Sequence, residues 1–230
     1  DYIEGVRYFQ KSAEQGNIHG MANYGLSLLN GIGVEKNFQK AEEYLKKSAQ
    51  LGYSFAQVNY GSLLLDNNPT VFEVDEALSY IKKSMDQNNP EAFYTFGILL
   101  QKGKFVEKNN DLAMEHFKIA ADMGLEKSMI EFANDNLKFE PKNEKVALKY
   151  FQLAFENGCE KVKDKIDKLK EKLEPVIQKP AVIEQPSKNI EPVKKLSELF
   201  LYSDNYVSPR RSVEKNKLVQ KAKQIKKDKK

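Results

Sequence analysis

Tryptophan is absent from the 230 residues, and cysteine and histidine are scarce, with one Cys and two His. A lone cysteine, Cys159, forms no internal disulfide and supplies no thiolate cluster for zinc. One cysteine in a chain of this length fits a reducing compartment such as the cytoplasm better than a secreted setting. His19 and His116 stand far apart and show none of the His-x-x-x-His or His/Cys spacings of metal sites. No run approaches the roughly 20 apolar residues of a membrane-spanning helix, and no apolar signal segment opens the chain. The first residue is Asp1, not Met, and it falls inside a repeat. A fragment of a longer protein is therefore expected, and a missing part is free to carry an activity of its own.

What is present is 40% hydrophobic and 30% charged, with 12 Gly and 8 Pro. This is the composition of a helix-leaning globular chain of one or two domains. The net charge of +4 is uneven. Residues 176–230 hold fourteen Lys and Arg against six acidic residues, which makes them +8 and leaves −4 for residues 1–175. A mildly acidic body with a basic tail needs two separate readings.

The body repeats. YFQKSAEQGN from Tyr8, YLKKSAQLGY from Tyr44, YIKKSMDQNN from Tyr80, HFKIAADMGL from His116 and YFQLAFENGC from Tyr150 align without gaps, at spacings of 36, 36, 36 and 34. Columns of small residues keep the same period: Gly25, Gly61, Gly97 and Ala133; Gly20, Ala56, Ala92 and Ser128; Gly5, Ala41, Ala77, Ala113 and Ala147. Each unit reads as two helices, A and then B. In one B helix, Ala41, Tyr44, Leu45, Ser48 and Ala49 fall on a single helical face. Gly16, Gly52, Gly124 and Gly158, with Asn88 in the third place, follow the B helices where a left-handed residue ends a helix. The small columns predict close backbone approach. The large columns Phe9, Leu45, Ile81, Phe117, Phe151 and Tyr24, Tyr60, Phe96, Phe132 fill the space around them. The fold class expected is all-α, a right-handed α/α superhelix of about four to five helix pairs. One pair cannot bury its apolar face alone, so stacked pairs share a continuous core.

From Tyr8 to Ala49 the sequence is similar to the Sel-one-like repeat family. The marks are AEQGN (Ala13 to Asn17), Gly25 after an aromatic residue, the loop Gly31-Ile32-Gly33-Val34, and the stretch from Lys40 to Ala49. The resemblance covers about residues 1–173. Tetratricopeptide repeats, the nearest alternative, lack that loop and have a period of about 34. The loop glycines survive only in the first unit and as Gly103, the second loop runs from Asp66 to Asp75, and the last repeats look degenerate. Residues 160–173, with Val162, Ile166, Leu169 and Leu173 in one stripe, read as a capping helix. The B helix at Tyr2–Glu14 has no A helix before it in the sequence; either the fragment boundary cuts that helix off, or another part of the protein covers the face.

No catalytic, metal or cofactor constellation emerges. His116 stands in the tyrosine column, and Ser12, Ser48 and Ser84 stand in a packing column with Ala120 and Ala154, with no partner base. The Gly31–Val34 loop follows a helix instead of a strand and lacks a P-loop Lys-Ser pair. Glu42 and Glu43 are spaced as a solvated face. What remains is surface. In such solenoids the A helices line the concave side, which the resemblance implies is the partner-binding face. The exposed A-helix columns are Asn23, Asn59, Thr95 and Glu131, then Asn30, Asp66 and Lys102. Solvated polar positions without a ligand are the bland reading of both columns.

Past Glu174, Pro175, Pro180, Pro186 and Pro192 mark residues 174–192 as an extended linker. Residues 193–230 form a basic tail with a short apolar helical face (Val193, Leu196, Leu199, Phe200) and a loose kinase-site match at Ser208–Ser212. Its last stretch suits an acidic partner, an anionic membrane or a nucleic acid, although no aromatic residue interleaves the lysines. The expected function is thus a non-enzymatic scaffold or adaptor for protein or peptide partners. The resemblance adds roles in assembling signalling or quality-control complexes. Two alternatives stand beside it: the targeting region of a larger enzyme such as a protein kinase, and a membrane or nucleic-acid tether through the tail.

Overall fold

Residues 2–66 and 68–173 are described in the computed structural model; the linker and basic tail read at 174–192 and 193–230 lie outside them. The described residues form α1 (Tyr2–Glu14), α2 (Ile18–Asn30), α3 (Phe38–Gln50), α4 (Ser54–Asp66), α5 (Val71–Asp86), α6 (Pro90–Lys102), α7 (Asn110–Asp122), α8 (Glu126–Lys138), α9 (Glu144–Glu156), a 3-10 turn (Glu160–Val162) and α10 (Lys163–Leu173). Among them there is no strand. The A helices are α2, α4, α6 and α8, each followed by its B partner, and α1 is a B helix. Each helix packs on its sequence neighbours, as in a stacked solenoid.

Asparagine sets half of the helix starts. The side chains of Asn37, Asn109 and Asn143 accept backbone N–H groups of the first turns of α3, α7 and α9. Their own N–H groups donate to Leu28, Leu100 and Asn136 carbonyls in the preceding A helix. In α5 a Thr70–Glu73 capping box does the same work. Every B-to-A connection has three residues and closes alike: the N–H groups of Asn17, Tyr53, Asn89, Leu125 and Cys159 donate back to Ser12, Ser48, Ser84, Ala120 and Ala154. The left-handed residue this closure needs is Gly16, Gly52, Asn88, Gly124 or Gly158, as the sequence predicted.

The A-to-B loops vary, and the helices absorb the variation. The second loop is short, and α5 begins early and runs for 16 residues where its counterparts have 13, so the period of 36 survives. In the third loop Phe105 takes φ 69° where the first loop has Gly33 at 67°. That conformation costs an L-residue roughly 1–2 kcal/mol, which packing of Phe105 against the core around Leu65 and Ile81 offsets.

The small columns are close-approach points. A Cβ built on Gly25 would sit 2.9 Å from Leu45 Cγ, one on Gly61 2.9 Å from both Ala77 O and Ile81 Cγ1, and one on Gly97 2.6 Å from Phe117 Cε1. Above each contact an aromatic pair meets edge to face: Tyr24–Tyr44, Tyr60–Tyr80, Phe96–His116 and Phe132–Tyr150, at centroid distances of 5.1, 5.2, 5.2 and 4.7 Å. The serine column is a tie as well as packing. Ser48 Oγ donates to Ile18 O and Ser84 Oγ to Ser54 O, both at 2.7 Å. At the C-terminal end Val162, Ile166 and Leu169 bury the stripe of the expected cap.

Two substitutions test this packing. Gly61→Leu overpacks the α4–α5 contact and is expected to cost about 1–3 kcal/mol; an unchanged thermal midpoint contradicts the close-approach account. Ser128 Oγ is buried without a hydrogen-bond partner, where Ala56 and Ala92 stand in the column. Ser128→Ala should therefore raise stability by about 1 kcal/mol, measurable by urea titration.

Candidate protein-binding face

The A helices place the two predicted columns. Asn23, Asn59, Thr95 and Glu131 sit at equivalent positions of α2, α4, α6 and α8, and all four are half-buried. Asn30, Asp66 and Lys102 close α2, α4 and α6 and are exposed. Two of the asparagines are partly spent on their own helices: Asn59 Nδ2 donates to Phe55 O at 2.7 Å and Asn30 Nδ2 to Leu26 O at 3.0 Å. Both side chains therefore offer a partner chiefly their carbonyl oxygen, an acceptor for a peptide N–H.

Asn23 and Asn30 are brought together in a groove of about 550 Å³ between α1 and α2, whose apolar lining includes Tyr2, Val6, Phe9 and Leu26. The exposure of α1 explains the groove. Phe9 is 38% exposed, whereas its column mates Leu45, Ile81, Phe117 and Phe151 are fully buried. Each of those four lies under an A helix, and α1 has no such cover among the described residues. Sequence reasoning noted that no A helix precedes α1 in the sequence but not the groove, because the groove needs the α1–α2 packing angle.

Farther along, α6 and α8 are joined through side chains. Lys127 and Glu91 form an ion pair, and the same Lys127 Nζ lies 4.4 Å from the Tyr94 ring centroid. Burial pushes the Tyr94 phenol above its ordinary range, helped by Glu131 and Glu91. One turn from Glu131, Asp135 is 2% exposed and accepts from Gln101 Nε2 at 3.2 Å with both carboxylate oxygens. Burial, and then repulsion from Glu131, push its pKa up to about 6. The sequence signal for this pair is a break in two leucine columns, Leu29, Leu65, Gln101, Leu137 and Leu63, Leu99, Asp135, Leu169.

The remaining candidates are structural. His116 packs edge to face on Phe96, and its Nδ1 is buried with no hydrogen-bond partner among the described residues, so burial pushes its pKa below the usual histidine range. The Gly31–Val34 loop does not present its amides to a phosphate: the N–H groups of Gly31 and Ile32 both donate to Ser27 O. Cys159 is buried. Among the described residues no three His, Cys, Asp or Glu side chains converge as metal ligands, and no described helix is long and apolar enough to cross a membrane.

Tandem helix pairs with glycine close-approach points and three-residue Schellman joints define an α-solenoid of the Sel-one-like type. The Sel1 repeat family pattern matches residues 1–17, 18–53, 97–125 and 137–159, and together with the solved structures below it supports a helical repeat protein of the Sel1 type. The longest unmatched stretch among the described residues, 54–96, holds the unit with the shortened loop and lengthened α5. Residues 126–136 between the last two matched segments also fall outside the pattern. Among solved structures, the chain resembles a protective antigen of uropathogenic Escherichia coli with an SLR fold (25% identity, TM-score 0.62, 73% of this chain and 37% of that one). It also resembles a Sel1 repeat protein from Oxalobacter formigenes (24%, 0.58, 68% and 63%) and an immunity protein from Pseudomonas aeruginosa (23%, 0.50, 65% and 56%). The chain therefore spans less than two thirds of each of these proteins. Comparison with curated proteins finds no match. Proteins of the Sel1 repeat family are helical scaffolds that commonly mediate protein–protein interaction.

The uncovered face of α1 makes a paired prediction. A Cβ on Gly5 meets nothing within 4 Å, so Gly5→Leu should be tolerated and, by helix propensity, stabilise by up to about 1 kcal/mol. Ala41, its column mate, is fully buried, and Ala41→Leu should cost about 1–3 kcal/mol. Equal losses of thermal stability in both variants of the 230-residue chain contradict the difference in packing between Gly5 and Ala41.

Proposed function

We propose that this chain is a non-enzymatic scaffold that holds a partner protein or peptide on the face formed by α2, α4, α6 and α8. The supporting observation is the run of half-buried polar side chains Asn23, Asn59, Thr95 and Glu131 at one position of four successive helices, beginning beside the apolar groove of α1 and α2. Repeated side-chain acceptors at regular intervals suit an extended peptide, whose backbone N–H groups also recur regularly. Apolar side chains of the same partner would enter the groove, and the exposed ends Asn30, Asp66 and Lys102 would contact its flanks. The basic tail contributes attraction for acidic segments of the partner in this reading.

Co-purification from the native cell tests it. The double variant Asn23→Ala/Asn59→Ala should keep its helical content and lose partner recovery, at about fivefold in affinity for each hydrogen bond of roughly 1 kcal/mol. Equal recovery by wild type and variant overturns the site. Recovery that collapses with added salt and on deletion of residues 213–230 assigns binding to the tail instead.

A further inference from the structure

Four pairs of positions, 34 residues apart in three of them and 32 in the last, link successive A-type helices. Leu29 packs against the core cluster that contains Leu63, Leu65 and Leu99 share the next cluster, and Leu137 packs against the last, which contains Leu169 of the capping helix. The remaining pair is Gln101 and Asp135. Leucine thus occupies both positions of three pairs, each within one apolar cluster, and the pair between α6 and α8 alone is an amide on a carboxyl group. We infer that the Gln101–Asp135 pair makes the α6–α8 joint a pH-responsive seam, which tightens when Asp135 takes up a proton.

The chemistry follows from the contacts. With Asp135 ionised, the pair holds only through the Gln101 amide, which straddles both carboxylate oxygens at 3.2 Å, and a charge remains buried. With Asp135 protonated, its Oδ–H donates to Gln101 Oε1 while Gln101 Nε2 still donates to the other oxygen. The pair becomes neutral and reciprocal. The charged groups that bear on Asp135 are Glu131 and Lys138 of its own helix, the first opposing ionisation and the second favouring it, and α6 contributes the neutral Gln101 amide. The folded-state pKa is raised from 3.8 to about 6. The stabilising contribution is therefore complete below about pH 4 and lost as pH rises through about 6. His116, on α7, acts in the opposite sense, since its burial disfavours the proton, so acidification of the whole protein sums the two effects.

Asp135→Asn isolates the seam. It keeps an amide partner for Gln101, removes the titration and leaves His116 in place. The measurements are thermal unfolding and segment-resolved amide exchange of the 230-residue chain at pH 7 and pH 5. Wild type should gain about tenfold in protection of α6 and α8 at pH 5 relative to the variant, after correction for intrinsic exchange. Gln101→Leu/Asp135→Leu, which restores the leucine column, should show the variant's pH profile. A merely structural role would shift stability equally at both pH values. Identical pH profiles of wild type and Asp135→Asn overturn the inference, as does an acid gain that persists in the leucine pair. Neither readout involves a partner, so the test stands apart from the scaffold reading.

Discussion

A glycine set against a large side chain fixes the spacing of the first three A–B pairs, and the rest of the core depends on that spacing. Gly25 lies on Leu45, Gly61 on Ile81 and Gly97 on Phe117, each with no room for a Cβ at its normal distance. A glycine inside a helix costs about 1 kcal/mol relative to alanine, so three of them represent a real penalty. What they permit is complete burial of Leu45, Ile81 and Phe117 and the edge-to-face aromatic pair one residue away in each unit. If the backbones were farther apart, the aromatic pairs would lose contact together, because both layers are set by one interhelix distance.

The two kinds of connection divide the labour of the repeat. The B-to-A joint is three residues long in every unit and closes through the same backbone hydrogen bonds, so it passes one rotation from unit to unit. Ser48 and Ser84 reinforce it by reaching back to the first residue of the preceding A helix. The A-to-B loop carries no such duty. It shortens before α5, accepts a left-handed phenylalanine before α7 and loses two residues before α9. Interaction with nearest neighbours only confines each irregularity to its own unit.

Helix positions were readable because they rest on periodic features: small columns, large columns and the glycine or asparagine after each B helix. The capping asparagines Asn37, Asn109 and Asn143 were equally periodic and could have been read, since a side-chain acceptor before a helix has a known role. The candidate face was legible only as positions. That Asn59 and Asn30 donate to their own helices is a matter of rotamer, which spacing does not encode. The α1–α2 groove depends on an angle between helices and on exposure of Phe9, both tertiary quantities.

The Gln101–Asp135 pair shows how periodicity also identifies what packing does not require. The corresponding positions of three sister joints hold leucine within apolar clusters, so the repeat geometry itself does not call for a polar pair. A buried carboxylate with one amide partner is less favourable than a leucine contact of similar volume, so at neutral pH this pair costs the α6–α8 joint stability that two leucines would supply. Glu131, one turn away on the same helix, worsens it by repulsion and is also the member of the polar column nearest the seam. A stability penalty and a surface side chain are therefore coupled through one helix, α8. The array is uniform where it needs only to stack, and its least uniform joint lies beside the face on which a partner would lie.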